Sequence, residues 1–134
     1  MIKAIGHIAY KVTDMEKAID FYCGVLGLEK AFELADENGL PWIVYIKVVK
    51  NQFIELFYDA NIEGNEPKNE TYMHLCLEVT DIHEIAEKLQ KHGIVLDILP
   101  KQAVDLNYQC WAKDPDGNPI EFMQIHSDSP QAKA

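Results

Sequence analysis

Apolar and polar residues alternate over residues 5–12, a period that predicts a strand with one apolar face and one polar face. Apolar residues then recur at helical spacing over residues 15–26. Asp14 precedes this predicted helix and suits its N-cap, and Gly24 and Gly27 bracket its end. The beginning of the chain therefore predicts a strand followed by a helix.

Further strands are predicted after this helix because short apolar runs are separated by residues that favour turns. They span about residues 29–35, 42–49 and 52–58, with turns at Asn38-Gly39 and Lys50-Asn51. The next segment, residues 61–71, is rich in Asn, Glu, Gly and Pro and predicts a linker. Residues 4–60 thus form a first module with the order strand, helix and three strands.

The second half repeats this order over about residues 72–126. A strand at 73–79 and an N-cap at Asp81 precede a helix at 82–91, which ends at Gly93. Strands follow at about 94–99, 107–113 and 119–125, with the turn Asp114-Pro115-Asp116-Gly117-Asn118 before the last one. Residues 127–134 predict a loose polar tail. The fold class is therefore α+β, a single domain of two repeated βαβββ modules.

Length and charge restrict the function classes. A chain of 134 residues is long enough to form an ordinary hydrophobic core in one domain. The net charge of -10 argues against nucleic acid and anionic membranes as partners, because neither would be neutralised. The N-terminal residues lack the apolar core of a signal peptide, and three widely spaced cysteines favour reduced thiols. We therefore expect a cytoplasmic protein.

An internal repeat places chemically active residues in equivalent positions. Residues 7–14 and 74–81 align without a gap, and residues 53–57 and 119–123 both contain Ile-Glu. Each half therefore has one His and one Glu at matching places: His7 and His74, Glu55 and Glu121. All four lie on the strand parity opposite the apolar residues that would pack on the helices. They are therefore predicted to face one cavity on the other side of the sheets.

Two imidazoles and two carboxylates suit a divalent ion of borderline softness, and Ni, Zn, Co, Mn and Fe are all compatible. An ion with open coordination positions polarises substrate oxygens, which favours chemistry over a structural role. We therefore predict one divalent metal ion per site, with the ligands His7, Glu55, His74 and Glu121.

Residues 4–126 resemble the vicinal oxygen chelate superfamily, the glyoxalase, bleomycin resistance protein and dioxygenase group. The resemblance rests on the motif that begins at His7 and continues through Asp-Met-Glu-Lys-Ala-Ile-Asp-Phe-Tyr22 and Leu-Gly-Leu28, on His74 with Val-Thr-Asp81, and on Asp-Pro-Asp-Gly-Asn-Pro-Ile-Glu121. It implies a glyoxalase-like fold, with curved mixed sheets that enclose a metal cavity. The full set of two His and two Glu resembles glyoxalase I (lactoylglutathione lyase)-like members of the superfamily.

A glyoxalase I-like activity would isomerise the hemithioacetal that an α-oxoaldehyde such as methylglyoxal forms with glutathione or another thiol. The resemblance implies that Glu121 and Glu55 are catalytic and transfer a proton through an enediolate, with either one as the base. The same scaffold also serves extradiol-type dioxygenases, epimerases and small-molecule-binding resistance proteins. The activity within the superfamily therefore stays open at this point.

Residues near the predicted ligands suggest the kind of substrate. The candidates for substrate contact are Lys11, Phe53, Tyr108, Trp111 and Met123. Glyoxalase I typically holds glutathione carboxylates with arginines, one of them four residues after the first His, where this chain has Lys11 and no arginine elsewhere. A small or moderately apolar substrate therefore fits better than a polyanion. Short relatives commonly form dimers, so we expect a homodimer, although the linker also permits the two modules to pair within one chain.

Overall fold

The computed structural model describes residue 1 and residues 5–58 and 73–134. The chain divides into two compact units, Met1–Lys68 and Asn69–Ala134, which correspond to the two predicted modules. The predicted linker at residues 61–71 lies outside the described residues. In the part of the chain that is described, no helix is long and apolar enough to cross a membrane.

The first unit is one four-stranded mixed sheet with a helical segment after its first strand. Its elements are β1 (His7–Val12), α1 (Met15–Ile19), a π-helical continuation (Asp20–Val25), β2 (Glu29–Ala35), β3 (Pro41–Val49) and β4 (Gln52–Tyr58). The strand order is β1-β4-β3-β2, in which β1 and β4 are parallel and the other pairs are antiparallel. The predicted βαβββ order of the first module is confirmed.

The helical segment begins and changes its winding for identifiable reasons. The Asp14 carboxylate accepts a hydrogen bond from the Lys17 amide at 3.1 Å, as an N-cap does. The second half of the segment is π-helical, and the Leu26 amide donates to the Phe21 carbonyl at 2.9 Å. Adjacent residues Phe21 and Tyr22 both lie in the core, 2% and 0% exposed. The predicted helix over residues 15–26 is thus present, although its apolar spacing did not distinguish the α from the π winding.

The second unit has the same arrangement of strands. Its elements are β5 (Leu75–Glu78), α2 (Ile82–Lys91), β6 (Ile98–Gln102), β7 (Tyr108–Lys113), β8 (Pro119–Gln124) and α3 (Pro130–Lys133). The strand order is β5-β8-β7-β6, again with only the first pair parallel. The prediction of two repeated βαβββ modules is therefore confirmed.

Helix α2 packs against its sheet through an apolar stripe that comprises Ile82, Ala86 and Leu89. The Asp81 carboxylate caps it by accepting hydrogen bonds from the His83 and Glu84 amides, at 2.8 and 3.1 Å. The Ile82 amide donates to the Gln124 side-chain oxygen at 2.9 Å, which ties the first turn to the end of β8. The sheet face that bears Gln124 is therefore the helix-facing one.

Two segments differ from the sequence-based expectation. β6 spans Ile98–Gln102 and not residues 94–99, because the Ile94 amide still closes the end of α2 on the Leu89 carbonyl at 3.0 Å. β6 includes Pro100, which an edge strand tolerates since one side of it needs no ladder hydrogen bonds. The expected loose tail contains the short helix α3, whose N-cap Ser129 is fully buried and accepts a hydrogen bond from the Ala132 amide at 3.1 Å.

Candidate functional site

The first module brings a predicted ligand pair into contact. His7 at the start of β1 and Glu55 in the adjacent strand β4 lie with Nδ1 and Oε1 3.3 Å apart. The Glu55 side chain is 8% exposed and that of His7 is 55% exposed. Ile54 and Leu56, the neighbours of Glu55 along β4, are buried among the core residues. Strand alternation therefore presents Glu55 on the face that does not pack on the helix, as predicted.

The second module contains an equivalent pair. His74 directly precedes β5, and its Nε2 lies 3.2 Å from Oε2 of Glu121 in β8. The Glu121 side chain is 16% exposed and that of His74 is 29% exposed. Ile120 and Phe122 flank Glu121 and are buried on the opposite face. The duplication is thus visible in geometry as well as in sequence.

A structured turn sets the start of the strand that bears Glu121. The buried Asp114 carboxylate accepts hydrogen bonds from the Asp116 and Asn118 amides at 3.0 and 2.8 Å. Its second oxygen accepts one from the Asn118 side chain at 2.8 Å. Gly117 supplies the positive φ of 85° that the turn requires. The motif that the sequence singled out therefore has a clear local role, to place the beginning of β8.

Tyr45 in β3 lies directly opposite Glu55 in β4 in the antiparallel register. This places the Tyr45 hydroxyl beside the Glu55 carboxylate, and their interaction raises the pKa of Tyr45 above the ordinary tyrosine value. The Tyr45 ring stacks on Phe32, with centroids 4.2 Å apart and planes 20° from parallel. Glu55 therefore contacts a histidine on one side and a phenol on the other.

Trp111 in β7 holds the corresponding place in the second module, directly opposite Glu121 in β8. Its ring meets His74 edge to face, with centroids 4.7 Å apart at 65°. Its indole N–H donates to the Gln109 side-chain oxygen at 2.7 Å. Ring packing by Trp111 thus orients the His74 imidazole, while the indole N–H of Trp111 is bound to Gln109.

Cys76 is the residue opposite Glu121 in the parallel pair of β5 and β8. Although the residue as a whole is exposed, desolvation of the thiol raises its pKa to about 12, assisted by the nearby Glu121 and Glu78 carboxylates. Cys76 is therefore a protonated thiol beside the Glu121 carboxylate at neutral pH.

The structure brings some of the predicted substrate residues to the face that bears the two glutamates. By register, Lys11 and Phe53 share that face with Glu55, and Met123 and Trp111 share it with Glu121. Phe53 also meets the Phe32 and Tyr45 rings edge to face, at 6.2 and 6.0 Å. Phe53 therefore belongs to an aromatic cluster on the face that bears Glu55.

Tyr108 is placed differently from the prediction. It pairs with Gln124, whose side chain caps α2, and shares its strand parity with the buried Cys110. Tyr108 therefore lies on the helix-facing side of the sheet, opposite to Trp111. Odd and even positions of one strand face opposite sides, so the two aromatics of β7 cannot both accompany Glu121.

Sequence reasoning did not single out Tyr45 or Gln109. A two-residue turn at Lys50-Asn51 would, by simple counting, place Ile46 opposite Glu55. A register shift between Lys47 and Val49 moves the pairing by one residue and places Tyr45 there. The extra residue of a bulge leaves no signal in the apolar pattern. Gln109, by contrast, could have been found from its parity with Trp111.

The donor types fit a divalent metal ion, since each module offers one imidazole nitrogen and one carboxylate oxygen on neighbouring strands. The structure brings the four predicted ligands together as these two pairs. Within residues 5–58 and 73–134, no group of three or more His, Cys, Asp and Glu side chains surrounds a common point. The pairs are thus the units of the candidate site.

Comparison with known proteins connects this geometry to a family. The "Probable lactoylglutathione lyase" of Synechocystis sp. is 29% identical over 126 residues, covering 90% of this chain and 95% of its own length. The "Lactoylglutathione lyase" of Neisseria meningitidis serogroup A is 29% identical over 126 residues, with 90% of both chains covered. The trypanothione-dependent glyoxalase I of Leishmania major has the same fold, with a TM-score of 0.76 and 21% identity over 92% of this chain and 87% of that one.

The sequence profile of one family spans nearly all of both modules, from residue 4 to residue 122. This range includes the His7–Glu55 and His74–Glu121 pairs and all eight strands up to the middle of β8. The chain therefore belongs to the Glyoxalase/Bleomycin resistance protein/Dioxygenase superfamily.

Proposed function

We propose that this protein is a metal-dependent lyase of the glyoxalase I type, which isomerises the hemithioacetal of an α-oxoaldehyde and a thiol. The observation that supports this most is the duplicated pair: His7 lies 3.3 Å from Glu55, and His74 lies 3.2 Å from Glu121. Relatives named lactoylglutathione lyase that align over 90% of the chain support the same activity. A resistance-type binding protein would have no need of two matched pairs.

In this proposal His7, Glu55, His74 and Glu121 together hold one divalent ion of the Ni, Zn, Co, Mn or Fe type. When bound, the ion supplies Lewis-acid stabilisation of the negative charge that develops on the substrate oxygens. The imidazoles are oriented by neighbouring groups, His74 by the Trp111 ring at 4.7 Å. A homodimer in which two chains complete each site is part of the proposal, and light scattering of the purified protein tests it.

The carboxylates perform the proton transfer. Glu121 takes a proton from the substrate carbon and returns it to the neighbouring carbon, with Glu55 as its partner or alternate. Both side chains are largely shielded from water, at 16% and 8% exposure, which favours a proton transfer that does not exchange freely with solvent. Each lies against a histidine that keeps it aimed at the same side of its sheet.

The substrate is held by residues on the same face. Phe53, Trp111 and Met123 offer apolar and aromatic surface, and Lys11 offers a positive charge without the two-pronged geometry of an arginine. These contacts suit a thiol with few carboxylates better than a polyanionic one. We therefore place the substrate among hemithioacetals of moderately apolar thiols, with glutathione as one member of the series.

The test is turnover of defined hemithioacetals. Metal-free protein is reconstituted with Ni²⁺, Zn²⁺, Co²⁺, Mn²⁺ or Fe²⁺ and mixed with methylglyoxal and a series of thiols, and thioester formation is followed by absorbance. Glu121→Gln should lower kcat by about 100-fold or more, whereas Glu84→Gln, the same change on an exposed helix position, should leave it unchanged. A metal-loaded protein that converts no hemithioacetal refutes the activity. Oxygen uptake with a catechol, or solvent-deuterium exchange without net conversion, would identify the dioxygenase or epimerase instead.

A further inference from the structure

Tyr45 has a position that only the register shift in β3 creates. The shift between Lys47 and Val49 brings Tyr45, and not Ile46, directly opposite Glu55. Ile46 is consequently fully buried on the helix-facing side of the sheet. A backbone irregularity in this hairpin therefore delivers a hydroxyl group to a carboxylate that we propose as a metal ligand.

The Tyr45 hydroxyl is held in place by aromatic packing. Its ring stacks on Phe32 at 4.2 Å and meets Phe53 edge to face at 6.0 Å. Such contacts restrict the two side-chain torsions of tyrosine, so the hydroxyl stays beside the carboxylate of Glu55, the residue opposite Tyr45 in the register. A neutral donor thus lies beside a carboxylate with 8% exposure, where water competes little for the carboxylate oxygens.

The second module lacks the equivalent contact. Trp111 holds the register position of Tyr45, but its N–H donates to Gln109 at 2.7 Å. The corresponding carboxylate, Glu121, has a cysteine thiol as its neighbour, which is a weaker donor than a phenol. The duplicated site therefore holds its two carboxylates in different ways.

We propose that Tyr45 is a positioning residue, which orients the Glu55 carboxylate for metal binding through its hydroxyl. This inference rests on the proposed function insofar as Glu55 is a metal ligand. A donor that hydrogen-bonds one oxygen of a carboxylate directs the other oxygen toward the ion and limits its rotation. Partners of this kind typically change metal affinity by about 10-fold to 100-fold when they are removed.

Two substitutions separate the hydroxyl from the packing around it. Tyr45→Phe removes the hydroxyl and keeps the ring that stacks on Phe32. Phe32→Leu removes the stacking ring and keeps the hydroxyl. Tyr58→Phe serves as the control, because it makes the same change at a hydroxyl that donates to Glu33 at 3.2 Å and not to Glu55.

The measurement is the affinity of the metal-free proteins for Zn²⁺, by competition with a chromophoric chelator, together with the visible spectrum of the Co²⁺ form. Tyr45→Phe should weaken Zn²⁺ binding by about 10-fold or more and shift the Co²⁺ bands, because the carboxylate geometry changes. Phe32→Leu should weaken Zn²⁺ binding less than Tyr45→Phe, because it loosens the ring and keeps the hydroxyl, and Tyr58→Phe should stay within about threefold of the parent. Circular dichroism reports whether each variant is folded.

The proposal is overturned if folded Tyr45→Phe binds Zn²⁺ as tightly as the parent with an unchanged Co²⁺ spectrum. It is also overturned if Phe32→Leu weakens binding as much as Tyr45→Phe, since packing would then account for the effect, or if the parent takes up no divalent ion. A parent that binds the ion but converts no hemithioacetal refutes the proposed activity, whereas the affinity difference still decides the role of Tyr45.

Discussion

The turn before β8 offers a quantitative test of how burial strengthens a hydrogen-bonded turn, because the first module contains the same turn in an exposed setting. In Asp36–Leu40 the Asp36 carboxylate accepts hydrogen bonds from the Asn38 and Leu40 amides, both at 2.9 Å. In Asp114–Asn118 the Asp114 carboxylate accepts the equivalent pair at 3.0 and 2.8 Å. Asp114 is only 5% exposed and accepts a third bond from the Asn118 side chain.

The expected loss of stability follows from these contacts. Asp114→Ala removes three hydrogen bonds and leaves partly buried donors without a partner, at about 1 kcal/mol for each bond, or about 3 kcal/mol in all. Asp36→Ala removes two bonds that water can replace, so its cost should be about 1 kcal/mol or less. For a chain of this size the larger loss corresponds to a decrease in Tm of about 10 °C.

The assay is urea unfolding of the parent and both variants, followed by tryptophan fluorescence and circular dichroism. The free energy of unfolding should fall clearly more for Asp114→Ala than for Asp36→Ala. Equal losses for the two variants would show that burial and the Asn118 side-chain bond contribute nothing, and the reasoning about this turn would be wrong.

Three further predictions concern charge and thiol chemistry. Hydrogen bonds from the Glu84 and His83 amides lower the pKa of Asp81. The stability that this cap contributes is therefore present above the ordinary aspartate pKa and lost as the pH falls through the lowered pKa of Asp81. The difference in urea midpoint between the parent and Asp81→Ala should accordingly disappear at low pH. Because the pKa of Cys76 is raised to about 12, its alkylation by iodoacetamide at pH 7.5 should be about a thousandfold slower than that of a free cysteine, and mass spectrometry of the Cys76 peptide measures this. Under the proposed function, Lys11→Arg should lower KM for the glutathione adduct and not for the adduct of a thiol without carboxylates, and equal changes for both adducts would contradict a carboxylate contact.

Most of the fold could be predicted from local sequence patterns. The strands near residues 29–35 and 52–58 and the helix at 82–91 have the predicted bounds, because period and capping residues are properties of a single element. β6 was predicted too early, at residues 94–99, and α3 was not predicted, both because they depend on the tertiary structure. Pro100 is acceptable only because β6 is an edge strand, and α3 depends on Ser129, which is fully buried in the folded unit.

The candidate site divides in the same way. Strand parity and the internal repeat predicted that His7 and Glu55, like their counterparts in the second module, lie on one face, and the structure brings each pair within 3.3 Å. Parity also shows why Tyr108 does not accompany Trp111, since the two lie on opposite faces of β7. That distinction was available in the sequence from simple counting along the strand.

The sequence by itself determined the two modules, the helix caps and the duplicated His–Glu pairs, because each depends on residues close together in the chain or on exact repetition. Tertiary structure decided which residues surround those pairs. Tyr45 contacts Glu55 only because a bulge shifts the β3–β4 register, and Trp111 contacts His74 only because β5 and β7 both flank β8. Register arises from pairing between strands, where one inserted residue changes every neighbour while the apolar pattern stays the same.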